Sequence, residues 1–242
     1  MPIAKATRAF WGTFPDVVIF AGESAVRSHP EYSAAKAGDV DAAKRLAAET
    51  VTTEAVAAVT RMIAGNKAKL LPVHAIEAGG VNRIPAALAE FLGERLGLEV
   101  EEGIVQANTV GHTGASGWAR LARPAVFDGK PTRGCDYLLV DDFVGQGGTL
   151  ANLRGHAIAG GAGVIGAATL TGKAYSAKIA LSSQTLQSLR DRHGTELESW
   201  WHNIYGYGFD RLTESEARYL LRAENARTIR DRIAQARSEA NP

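Results

Sequence analysis

Two adjacent carboxylates, Asp141 and Asp142, are followed closely by Gly145-Gln146-Gly147-Gly148-Thr149. An apolar run, Leu138-Leu139-Val140, leads into the acids, and a helix-forming stretch opens after Thr149. Glycines let backbone N–H groups approach a ligand and adopt positive φ. A helix start adds unpaired N–H groups and partial positive charge, and together these make a phosphate cradle. Carboxylates accept hydrogen bonds from hydroxyls and ligate hydrated divalent cations. A phosphate site beside a diol clamp is the pattern of a ribose 5-phosphate. Taken singly, the same residues also make a plain strand–loop–helix corner with Asp as a cap. The coincidence of acids at the strand end with Gly-Gly-Thr at the helix start favours the ligand site.

The stretch LLVDDFVGQGGT, residues 138–149, resembles the phosphoribosyl-pyrophosphate motif of the type I phosphoribosyltransferases. The resemblance implies that Asp141 and Asp142 hold the ribose hydroxyls and a magnesium ion. It implies that Gly145, Gln146, Gly147, Gly148 and Thr149 bind the 5-phosphate. Gln146 departs from the Thr or Ser often found there, so one hydroxyl donor is replaced by an amide. The implied reaction transfers 5-phosphoribose from phosphoribosyl pyrophosphate to a nitrogenous base and releases pyrophosphate. The alternative is a non-catalytic regulatory protein of the same fold that binds phosphoribosyl pyrophosphate or a nucleotide. The implied partners are phosphoribosyl pyrophosphate and a nucleobase or nucleoside monophosphate. Homodimers are common in the fold.

Upstream, Glu77-Ala78-Gly79-Gly80-Val81-Asn82-Arg83 is a second glycine loop between a strand and a helix. The family places its pyrophosphate loop there, which would give Ala78, Gly79, Gly80 and Arg83 to the pyrophosphate. A simple turn with a solvated Arg83 is the bland alternative. Residues 110–123, VGHTGASGWARLAR, occupy the place of the family's flexible catalytic loop. His112, Arg120 and Arg123 are its candidates for neutralising a leaving pyrophosphate, with His112 and Arg120 taken as catalytic. Ordinary surface arginines would look the same.

Other signals are weaker. GAATLTGK, residues 166–173, ends like a Walker A loop but has the wrong glycine spacing and Ala174 in place of Ser or Thr. The aromatic stretch at residues 200–209 reads as core, with base stacking or a dimer surface as the alternatives. The Arg-rich stretch at residues 218–237 also carries Glu224 and Asp231 and reads as a solvated helix rather than a nucleic-acid stripe.

The elements that must position these residues alternate. Strands are expected at residues 70–76, 104–107, 137–140 and 164–170, with helices at residues 85–96 and 150–159. Asp39 is expected to cap one helix, and a second should span residues 53–63. Residues 1–38 read as irregular apart from a short apolar run at 17–20. Residues 109–122 read as a long loop. Thr213 and Glu216 have capping-box spacing and should open a long charged helix. The pattern predicts an α/β fold with a central, mainly parallel sheet flanked by helices, and the resemblance implies the Rossmann-like type I phosphoribosyltransferase fold with a small hood. A single domain covers residues 1–242, its core at about residues 53–175, with hood and additions from 1–52 and 176–242.

The composition sets outer limits. The chain has 242 residues, enough for one α/β domain. Its net charge of +1 argues against a nucleic-acid or membrane partner. The single cysteine, Cys135, excludes an internal disulfide and a cysteine-rich zinc site, and fits a reducing compartment. With no apolar run long enough to span a bilayer and no signal-peptide pattern, a cytoplasmic location is expected.

Overall fold

The computed structural model describes residues 5–77, 80–108 and 116–239. Among the described residues there are eight strands: β1 (Val18–Ala21), β2 (Lys69–Pro72), β3 (Ile76–Glu77), β4 (Gly80–Val81), β5 (Val105–Gln106), β6 (Phe127–Asp128), β7 (Asp136–Val144) and β8 (Gly163–Gly172). The same residues form ten α-helices: α1 (Glu23–Arg27), α2 (Tyr32–Ala37), α3 (Val40–Thr50), α4 (Thr53–Ile63), α5 (Ile84–Leu96), α6 (Gly117–Ala122), α7 (Gly148–Ala159), α8 (Ser183–Tyr205), α9 (Glu214–Leu221) and α10 (Ala226–Ser238).

The central sheet has the order β1-β8-β7-β2, and every neighbouring pair is parallel. Parallel strands are covered on both faces, so they read as apolar runs rather than alternating ones. In β7, Leu138 and Val140 face a core with α3, α4 and α5, while Tyr137 and Leu139 face one with α7. All four are fully buried. Truncating any of the aliphatic ones to Ala would cost about 2–5 kcal/mol.

Several helices are capped, at the expected Asp39 and Thr213 among other positions. Asp39 accepts from Ala42 N at 2.9 Å, and Thr52 caps α4. Gly97 ends α5 at φ 68°. Thr213 and Glu216 form a reciprocal capping box on α9.

Four expectations are corrected. Residues 18–21 are not irregular: β1 is the edge strand beside β8, with Val18 opposite Ala168. The apolar residues there are too few to announce a strand without their distant partner. Residues 117–122 form α6 rather than loop, started by Ser116 Oγ accepting from Ala119 N at 3.2 Å. The strand expected at residues 70–76 ends at Pro72, and Ile76–Glu77 instead pairs antiparallel with Gly80–Val81, apart from the central sheet. The long charged helix is two, α9 and α10, because Asn225 restarts the chain by accepting from Thr228 N.

The C-terminal helices form their own core around Trp201, whose ring lies 4.3 Å from that of Tyr205 and 5.9 Å from that of Phe209. This places the aromatic stretch in the interior. The N-terminal segment joins this layer to the sheet. Trp11 Nε1 donates to Leu212 O at 2.6 Å, and Arg154 of α7 holds the carbonyl of Phe10 at 2.8 Å.

Candidate functional site

Asp141 and Asp142 lie inside β7, not beyond it, since the strand continues through Val144 opposite Gly172. Asp141 Oδ1 accepts from the Asp142 amide at 2.8 Å. Asp142 Oδ2 meets Lys36 Nζ of α2 at 3.0 Å. Asp141 is 6% exposed. Burial, and then the neighbouring Asp142 charge, pushes its carboxyl well above the usual range.

The loop after β7 turns into α7 through Gly147, the helix N-cap, at φ 78°. Among the described residues no side chain caps α7, and a helix start carries N–H groups without partners inside the helix. Gly148 must also be small: a Cβ there would lie 2.7 Å from Glu216 Oε1.

The loop is held from behind by the C-terminal layer. Thr213 Oγ1 donates to Gln146 O at 2.5 Å while accepting from Glu216 N at 3.0 Å. Glu216 takes two bonds from Arg8, at 2.7 and 2.9 Å, and Arg8 Nε donates to Asn152 Oδ1 at 2.6 Å. Both members of this ion pair are buried. Burial opposes the Arg8 charge, but Glu216 more than restores it, so the guanidinium stays protonated. Tyr207 lies beneath it, 5.0 Å from ring centre to Arg8 Cζ.

These groups line one cleft of about 310 Å³ at the carboxyl ends of β2 and β7. It brings together Asp141, Asp142, the whole of Gly145 through Thr149, and Arg120 from α6. Gly80 and Arg83 do not line it. Gly80 is small because a Cβ would lie 2.5 Å from Ala37 O, and Arg83 is the N-cap of α5. Ala78, Gly79 and His112 lie outside the described residues. Lys36 and Arg8 also line the cleft and belong to no local motif. Asn82 of the second glycine loop and Tyr207 of the aromatic stretch line it too, though neither was expected at this site. Glu216 was visible, but only as a helix cap.

No family model matches the chain. The Escherichia coli protein named Protein TraN is 41% identical over 237 residues, covering 98% of this chain and 53% of TraN. An uncharacterized protein of Haemophilus influenzae is 41% identical over 152 residues, covering 62% of this chain and 34% of that protein. The chain thus spans about half the length of the first of these curated relatives and a third of the second. The structure of Leishmania donovani UMP synthase aligns with a TM-score of 0.35 and 14% identity, over 74% of this chain and 33% of that one. A likeness at that level carries no argument.

The TraN match overturns the transferase expectation. The relative aligned along nearly the whole chain is not named as a phosphoribosyltransferase. Phosphoribosyl transfer, the pentosyl-transferase class and a place in nucleotide metabolism therefore do not stand. The regulatory alternative took the same family as given and loses that support. What remains is an α/β fold, a parallel sheet with helices on its faces. Among the described residues, no helix is long and apolar enough to cross a membrane.

Proposed function

We propose that the cleft binds a small phosphorylated ligand with neighbouring hydroxyls, of the ribose 5-phosphate type, on a sheet arranged as in the type I phosphoribosyltransferase fold. The carrying observation is that the uncapped start of α7 and the Asp141–Asp142 pair face the same cavity. The helix start would take the phosphate through Gly147, Gly148 and Thr149. The acids would accept the ligand's hydroxyl protons. Phosphoribosyl pyrophosphate and nucleoside monophosphates share this end and belong to the same ligand class.

The acid pair does not fit a protein-held magnesium ion. Asp142 is already paired with Lys36, and Asp141 is buried and drawn toward its neutral form. In this reading Lys36 supplies the counter-charge. Calorimetry with ribose 5-phosphate, ribose and inorganic phosphate tests it. Ribose 5-phosphate should bind at least tenfold more tightly than either fragment, equally with magnesium or with EDTA. Gly148→Ala should weaken the phosphate contribution, because the added Cβ would meet Glu216 Oε1 at 2.7 Å behind the loop and push the helix start out of place. Failure of every phosphorylated probe to bind would overturn the site. Binding that requires magnesium would overturn only the role given to Lys36.

A further inference from the structure

Behind Gly145 and Gln146 lies a second cavity, about 710 Å³, which shares that wall with the cleft. Its sides come from four separate parts of the chain: α1, α6, the end of β8 and α9. They contribute Arg27, Arg120, Lys173, Arg218 and, at the C-cap of α9, Arg222, against one lining carboxylate among the described residues, Glu23. The whole chain carries only +1, so this is a local concentration of charge and not a reflection of composition. The cleft, by contrast, balances Arg8, Arg27, Lys36 and Arg120 against Asp141, Asp142 and Glu216.

Among the described residues, the acids beside Lys173 and Arg218 are already shared. Glu23 serves two cations, Arg27 at 3.0 Å and Lys173. Arg218 donates to the Tyr175 carbonyl at 2.8 Å, and its nearest carboxylate, Glu214 at 3.8 Å, already accepts from Thr185 and Ser182. Like charges drawn this close repel one another, and a bound anion would relieve that cost. The dividing wall adds an independent sign. Both Nε2 and Oε1 of the Gln146 side chain are buried with no hydrogen-bond partner among the described residues. Leaving such groups unmatched costs about 1–3 kcal/mol each, which a ligand bonded at the wall would recover.

We propose that this groove is a second anion subsite, built for the phosphate monoester group of a small molecule, with Lys173 and Arg218 as its main charges and Gln146 as its hydrogen-bonding floor. Its mouth carries Tyr175, 64% exposed, placed to cover the organic part of such a ligand. The proposal stands independently of what the cleft binds.

Amide NMR titration of the whole protein with inorganic phosphate tests it. Two sets of shifts are expected, one around Gly147–Leu150 and one around Lys173–Ser176 and Ser215–Arg222. Lys173→Gln with Arg218→Gln should weaken the second set at least tenfold and leave the first unchanged. Gln146→Leu should weaken the second set while the amide spectrum stays folded. A single set confined to Gly147–Leu150 would overturn the groove and spare the cleft. Shifts confined to the groove would spare this proposal and count against the cleft. A short single-stranded oligonucleotide that binds the groove far better than phosphate does, with a steep loss in salt, would also overturn it, since the surface would then be reading a polymer backbone.

Discussion

Thr213 Oγ1 donates to the carbonyl of Gln146, 67 residues earlier in the chain, at 2.5 Å. One hydroxyl thereby caps α9 and fixes the loop that opens α7. Thr213→Val keeps the shape but loses both bonds. It should destabilise the protein by about 1–2 kcal/mol, seen as a lower midpoint in thermal unfolding. Ribose 5-phosphate affinity should fall with it. Thr213→Ser retains the hydroxyl and should recover most of both.

Asp141 is expected to be a stability cost retained for binding. Its folded-state pKa is raised by burial and by Asp142, so the folded protein holds that proton more tightly than the unfolded chain. Stability from this group is therefore present at low pH and is lost as pH rises through the folded value. Asp141→Asn removes the buried charge and should stabilise the protein by about 1–3 kcal/mol near neutrality. The gap between variant and wild type should narrow as pH falls from 8 to 5. Thermal melts across that range check it, and a gap that widens on acidification would be the wrong sign. Ligand affinity should drop in the variant.

The Arg8–Glu216 pair gives a third expectation. Glu216→Gln leaves a buried guanidinium without its countercharge and should cost about 3–5 kcal/mol. Arg8→Met with Glu216→Leu removes both charges and should cost much less than the two single changes together. Urea unfolding of the four proteins measures the coupling. Additive losses would mean the two side chains act separately.

The legible parts of the molecule were those whose signal is local. Strand β7 announced itself because burial on both faces demands an unbroken apolar run from Tyr137 to Val140. The glycine loop and the caps at Asp39 and Thr213 are likewise written in adjacent residues. The acids were found, but their setting was not. Lys36 reaches Asp142 from α2, and Arg8 reaches Glu216 across 208 residues. No spacing rule connects such positions. The length of β7 was underestimated because charged residues usually end a buried strand, and here Asp141 is kept inside it. The motif pointed to residues that line one cleft, and the reaction read from it is overturned by the TraN match, since the residues that line a site do not specify what is done there.

The order of the central sheet also bears on how the chain reaches this structure. Among the described residues, strand β1 pairs with β8 alone, about 150 residues downstream along the register of Val18 with Ala168. During synthesis the apolar segment Val17 to Phe20 must therefore wait for a partner strand about 150 residues later. Such long-range closure slows folding and leaves the early chain exposed to association with other molecules. A circular permutant of this 242-residue sequence, with its two ends linked and the chain opened between α3 and α4, would place β1 after β8 in synthesis. It should refold faster than the natural order while reaching the same sheet.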